Sequence, residues 1–124
     1  MVAEPTVKAP GIVVLVNDQN YDALVTCSEV PVLLAFCSPW CGPCQLLAPA
    51  LAAVAQKLAG RLLVGTCDPD SDWAVAGSYQ IFTLPTLLVF VREAEQQREA
   101  ARVVGARSAR ELLTLVSPFV GGTA

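Results

Sequence analysis

Five cysteines and no histidine set the chemistry open to this 124-residue chain. Two of them, Cys41 and Cys44, flank Gly42-Pro43, follow Trp40, and precede a strongly helical stretch, Gln45–Leu58. Cysteines at this spacing at the start of a helix can close a small disulfide ring. Cys41 would stand at the helix N-terminus, where free N–H groups and the macrodipole favour negative charge. The thiolate is the nucleophile in disulfide exchange, so this placement gives Cys41 the attacking role. Cys44 lies one turn further in and reads as the more buried of the two. It would resolve a mixed disulfide by attacking the sulfur of Cys41. Pro43 fixes the backbone inside the ring, and Gly42 lets a partner approach closely.

Metal chemistry competes for the same residues. A zinc site needs four ligands, commonly two such pairs or added histidines, and the chain has neither a second CxxC nor any His. Cys37, Cys41 and Cys44 also have the spacing by which three thiolates hold an iron–sulfur cluster, with Cys67 available as a fourth ligand. Enzymes that use such a triad are normally built on a far larger scaffold than this chain can supply. Asp68, Asp70 and Asp72 alternate like metal ligands, but cap and turn duty accounts for them better. The expectation is therefore a metal-free protein with no cofactor beyond a redox-active Cys41–Cys44 disulfide.

The bulk properties agree with a small globular enzyme. Residues of hydrophobic type make up 54% of the chain, and the mean hydropathy is +0.53. The longest apolar runs, Val30–Cys37 and Leu46–Ala55, are too short to cross a bilayer and read as core elements. A net charge of −3 without any basic cluster argues against nucleic acid or an anionic membrane as a partner. The N-terminus shows no secretory signal pattern, and an odd number of cysteines suits a stapled secreted domain poorly, so the expected location is cytoplasmic.

The elements that must position the cysteines follow from patterning. Residues 1–10 read as a flexible lead-in, 11–120 as one domain, and 121–124 as a tail. Ile12–Val16 is a short β-branched strand, ending at Asn17-Asp18, a good cap for a helix over Gln19–Thr26. Val32–Phe36 is apolar without alternation, as a central strand covered on both faces should be. Within Gln45–Leu58, Pro49 is a kink and Gly60 a stop. A strand over Leu62–Cys67, a helix over Trp73–Tyr79 and strands over Thr86–Val91 and Ala101–Val104 follow, with Ser108 capping a last helix, Ala109–Val116. The segment joining the last two strands, Arg92–Arg98, carries no Gly or Asn turn signal and reads as a long polar connection over an edge. This order implies an α/β fold: a central mixed sheet with helices on both faces.

The residues also resemble a known family. Trp40-Cys41-Gly42-Pro43-Cys44 is the signature pentapeptide of thioredoxins. Phe36 before it, Pro49 after it, Thr83-Leu84-Pro85-Thr86 downstream and Val104-Gly105-Ala106 near the end are similar to the family's other landmarks. The resemblance covers about Ile12 to Val116 and implies the thioredoxin fold. It implies that Pro85 follows a cis peptide bond and faces the disulfide, and that Thr83 and Leu84 present backbone to an extended partner. Trp40 would flank the disulfide, with Gly105 and Ala106 as the far rim. It further implies a monomer that reduces disulfide-containing target proteins and is re-reduced by a thioredoxin reductase-type donor.

The chain departs from the family where Cys44 is served. Thioredoxins usually carry a buried Asp in the strand before the site and a Lys on the next strand, and these positions are Ala35 and Thr66. Without that base, a buried Cys44 should resolve slowly. A thioredoxin-fold redox-regulatory or binding module with slow turnover is thus the alternative reading. An oxidase or isomerase is a further one, against which Gly42-Pro43 speaks. Cys37 stands where many relatives have Trp and reads as an inert packed thiol, with pairing to Cys67, at the end of its strand, left open by the sequence. Cys27 is read as incidental, and Trp73 as a packing residue.

Overall fold

The computed structural model describes residues 9–121. Residues 1–8 of the expected lead-in and 122–124 of the expected tail lie outside the described residues. Ala9, at the end of that lead-in, is buried, and its carbonyl accepts from Gly60 N–H at 2.8 Å.

Five strands form one mixed sheet: β1 (Val14–Leu15), β2 (Val32–Phe36), β3 (Leu63–Cys67), β4 (Thr86–Glu93) and β5 (Gln96–Val104). Their order across the sheet is β1-β3-β2-β4-β5. The β1–β3 and β3–β2 pairs are parallel, whereas β4 runs antiparallel to both β2 and β5. The helices are α1 (Gly42–Lys57), α2 (Trp73–Ser78) and α3 (Ala109–Val116). Ser108 caps α3 in a capping box with Glu111, as its sequence indicates. Among the described residues, no helix is long and apolar enough to cross a membrane.

Every residue of β2 is buried, because helices cover both sheet faces. Side chains alternate along a strand, so β2 divides between two cores. Leu33 and Ala35 join Leu87, Val89 and the inner stripes of α1 and α3, including Leu47, Leu51 and Leu112. Val32, Leu34 and Phe36 join Leu88, Phe90, Val25 and Val75 on the face covered by α2.

Several elements differ from the expectation. The first strand keeps only Val14–Leu15 in register, because β1 is an edge strand with β3 as its single neighbour. The Gln19–Thr26 helix is a turn followed by a π-helical turn, Asp22–Thr26, whose Asp22 carbonyl accepts from Cys27 N–H at 2.9 Å. Asn17 does cap: its Oδ1 accepts from Gln19 N–H and Asn20 N–H at 2.9 and 2.8 Å. Asp18 serves elsewhere, accepting from Val75 N–H in the first turn of α2 at 3.1 Å.

The largest difference is the polar segment before Ala101. It is strand, not loop: β4 runs on to Glu93 and β5 begins at Gln96. The turn is the tight two-residue form that needs positive φ at both central positions, and Ala94 and Glu95 adopt φ of 52° and 68°. Long side chains hold what the turn residues do not favour. Arg92 donates to the carbonyls of Ser28 (3.1 Å) and Thr26, Gln97 to that of Val25, and Arg98 pairs with Glu93 at 2.7 Å. β5 is the sheet edge, so its charged outer face solvates that edge as expected.

Candidate active site

Sheet register gathers the site at one end of the molecule. Cys67, Phe36, Thr86 and Val104 stand in one row across β3, β2, β4 and β5. The next residues beyond that row are Asp68, Cys37, Pro85 and Gly105, so the loops carrying Trp40–Cys44, Thr83–Pro85 and Gly105–Ala106 leave the same edge. This is the C-terminal end of β2 and β3, where open α/β sheets commonly hold their sites.

α1 begins three residues earlier than the Leu- and Ala-rich stretch indicates, taking the cysteine pair into its first turn. Cys41 is the N-cap, with extended φ and ψ of −88° and 112°, and Pro43 sits in the first turn, where its missing N–H costs nothing. Cys44 is the third helical residue, in the turn that Cys41 caps, and the neighbouring Cys41 thiol helps to raise its pKa. Cys44 is the more buried of the two only by a narrow margin: Cys41 is 6% and Cys44 5% exposed. Position rather than burial distinguishes them, because the cap residue faces the open helix end. Gly42 and Pro43 are exposed on the same end, and a Cβ at Gly42 would meet nothing within 4 Å.

Around the pair, Trp40 is 69% exposed, and its indole Nε1–H donates to Asp70 Oδ2 at 2.6 Å, which fixes the ring beside the site. The Leu84–Pro85 peptide bond is cis, as the resemblance implies. Pro85 is buried, Leu84 half-buried and Thr83 exposed, and the carbonyl of Thr83 accepts from Thr86 Oγ1–H at 2.5 Å. Gly105 donates its N–H to the Pro85 carbonyl at 2.8 Å and has φ of 98°, a conformation that side chains resist. Ala106 is exposed next to it. Trp73 is 74% exposed and so is not the packing residue expected, because it opens α2 on the solvent side of the Asp68–Asp72 turn.

The carboxylates of that turn do structural work. Asp68 Oδ1 accepts from Asp70 N–H at 2.9 Å, and Asp72 Oδ1 accepts from Asp18 N–H at 3.0 Å. Ala35 lies directly opposite Thr66 in the β2–β3 register, so the two departures from the family face each other, and neither is ionisable.

Two further thiols, Cys37 and Cys67, lie beside this centre at the same end of the sheet. Burial pushes the Cys44 thiol up, and its donation to Cys41 adds to the effect. Donation from Ser38 N–H and from the Cys37 S–H acts in the opposite direction. Cys37 is itself held well above the ordinary thiol range, chiefly by burial and then by its hydrogen bond to Cys44. The Cys67 thiol is pushed up to about 12 by burial, with Asp72, Asp18 and Asp68 adding to it. Cys37 N–H donates to the Cys67 carbonyl at 3.0 Å, so the two backbones are neighbours. Their side chains belong to opposite sheet faces, however, which separates the sulfurs that the sequence left open to pairing. Cys27 ends the π-helical turn and is exposed. Sequence reading missed that Cys37 and Cys44 line one cleft. The period-two parity from Ala35 to Cys37 is the signal that points to it.

The thioredoxin family profile matches residues 12–117. The chain is 35% identical over 111 residues to the chloroplastic M-type thioredoxin of Zea mays, an alignment covering 90% of this chain and 64% of that protein. It is 33% identical over 113 residues to the bifunctional thioredoxin reductase/thioredoxin of Mycobacterium leprae, covering 91% of this chain and 24% of that protein. The chain spans about three fifths of the length of the curated plant relatives it matches. Among solved structures, a mutant thioredoxin from Halobacterium salinarum NRC-1 superposes with a TM-score of 0.78 at 26% identity, covering 93% of this chain and 96% of that one. The matched span takes in the whole sheet, the cysteine pair and the cis proline, and the chain belongs to the thioredoxin family.

Proposed function

We propose that the protein is a thiol–disulfide oxidoreductase that reduces protein disulfides through Cys41 and Cys44. The observation that carries this reading is the placement of the pair. Cys41 caps α1, Cys44 stands in its first turn in contact with Cys41, and the cis Pro85 loop leaves the same end of the sheet. Cys41 attacks a partner disulfide, expels one partner sulfur as a thiolate and forms a mixed disulfide. Cys44 then gives its proton to water, attacks the Cys41 sulfur and expels the second partner thiolate. Two electrons pass from the dithiol to the partner disulfide, and the protein ends with a Cys41–Cys44 bond.

In this reading Trp40, Gly42, Pro43, Thr83, Leu84, Gly105 and Ala106 form the surface that an extended partner segment meets, and the resting protein is a monomer. The Mycobacterium leprae relative combines a thioredoxin reductase with a thioredoxin, which supports a reductase of that kind as electron donor. A reducing compartment fits five free thiols, and the cytoplasm is the one proposed. A slow redox-regulatory or binding module is the second reading, favoured by the pairing of Ala35 with Thr66 behind the site.

Reduction of insulin driven by dithiothreitol separates them. The wild type should turn over, Cys41→Ser should lose activity by about a thousandfold or more, and Cys44→Ser should accumulate the mixed disulfide. A wild-type rate at background would leave only the binding module. The couple's reduction potential should lie near about −270 mV, whereas a value near about −120 mV would make the protein an oxidant.

A further inference from the structure

Behind Cys44 lies an open, mainly apolar cleft of about 320 Å³. Cys37, Ser38 and Cys44 line it together with Leu51, Thr66 and Asp68. The resemblance to thioredoxins implies a carboxylate on this side of the resolving cysteine. Here β2 places the apolar Ala35 on the α1 face, and the next residue of the same parity is Cys37, one pleat nearer the first turn of α1. Cys37 and Ser38 thus stand in the wall of the same cleft as Cys44, where the Cys37 thiol and the Ser38 N–H both act to lower the pKa of Cys44 against its burial.

We propose that Cys37 is a positioning residue for the exchange: its S–H, presented by the pleat of β2, holds the Cys44 sulfur and stabilises the thiolate from which Cys44 attacks Cys41. The inference rests on the oxidoreductase reading above and adds the support that Ala35 and Thr66 no longer give. Cys37 keeps its proton throughout. Its burial and its donation to Cys44 both disfavour its own ionisation, which makes it a steady donor and a poor nucleophile. The charged groups nearby do not replace it. Asp68 lines the cleft, but its Oδ1 is engaged by Asp70 N–H, and its charge acts on Cys67. The buried hydroxyl of Ser38 has no hydrogen-bond partner among the described residues, so that residue contributes through its backbone.

The test is a single turnover of reduced protein, in excess, with Ellman's reagent. A Cys27→Ser background removes the exposed thiol. The first release of thionitrobenzoate reports the attack of Cys41, and the second reports resolution by Cys44. Between pH 6 and pH 9.5, Cys37→Ala should leave the first phase unchanged and slow the second about tenfold at neutral pH, with the rates converging at high pH. Cys37→Ser, which keeps a donor, should recover most of the loss. A wild-type circular dichroism spectrum and urea midpoint certify that the variant is folded, and a wild type that never gives the second phase would overturn the oxidoreductase reading rather than this one. A second phase in Cys37→Ala with the wild-type pH profile overturns the proposal. So does a Cys37→Ser variant slowed as much as Cys37→Ala, which would assign Cys37 to packing. Asp68→Asn should leave the profile in place, and a comparable shift there would move the role to Asp68.

Discussion

Cys44 and Cys67 are both buried thiols at the same end of the sheet, one on the α1 face and the other on the α2 face. Burial raises both. The difference lies in what else surrounds each sulfur. Ser38 N–H and the Cys37 thiol both act to lower the pKa of Cys44, and Cys41 caps the turn in which it stands. Cys67 is ringed by Asp72, Asp18 and Asp68, whose charges push its ionisation further away. Desolvation alone makes a thiol inert. Donors aimed at its sulfur restore reactivity, and carboxylates that are committed to capping α2 and the preceding turn reinforce inertness.

The sharpest way to break this contrast is to give the α1 face the charge that the α2 face already has. Ala35→Asp places a carboxyl in a fully apolar cluster, and the variant should lose about 3 kcal/mol of stability at neutral pH. The unfolded carboxyl ionises near pH 4, whereas the buried one keeps its proton to higher pH. The penalty should therefore grow as pH rises above about 4. Urea unfolding at pH 4.5 and 7.5 measures it, and an equal, small penalty at both would mean that the face is not dry behind Cys44.

Cys67 supplies the next effect. Its folded thiol holds a proton up to about 12, while the unfolded thiol releases it near 9.0. Both states are protonated below pH 9, so stability is indifferent to pH there. Above it, the folded protein binds one more proton, and stability falls by about 1.4 kcal/mol per pH unit. Cys67→Ala should reduce that slope between pH 9 and 10.5, as read from urea midpoints, while leaving both phases of the Ellman reaction intact. An unchanged slope would remove Cys67 from the comparison.

Ser38→Ala gives the smallest change. Its hydroxyl is buried and has no hydrogen-bond partner among the described residues, so its removal should be neutral or stabilise by up to about 1 kcal/mol in thermal unfolding. The backbone donor to Cys44 survives, so resolution should keep its rate. A slowed second phase would show that the hydroxyl, and not the N–H, serves Cys44.

Much of this was legible in the residues. The uniform apolarity of Val32–Phe36 announced a strand covered on both faces, and Ser108 with Glu111 announced the start of α3. The cysteine pair was readable because its spacing is local, whereas the cis proline was readable only through the resemblance to thioredoxins. The tight turn at Ala94-Glu95 was not, because neither residue favours positive φ. Side chains reaching to Val25, Thr26 and Ser28 hold it instead. The exposure of Trp73 and the capping of α2 by Asp18 were hidden for the same reason, since both depend on contacts distant in sequence.

By itself, then, the sequence determined the CxxC spacing of the proposed reacting pair and the strand–helix order that carries it, since spacing and period are properties of the chain. Only the tertiary structure decided which buried thiols matter. Pleat parity and register turn Cys37 toward Cys44, turn Cys67 toward three carboxylates on the other face, and set Ala35 against Thr66. Whether a thiol meets a donor or a carboxylate is settled by neighbours brought from other strands and loops.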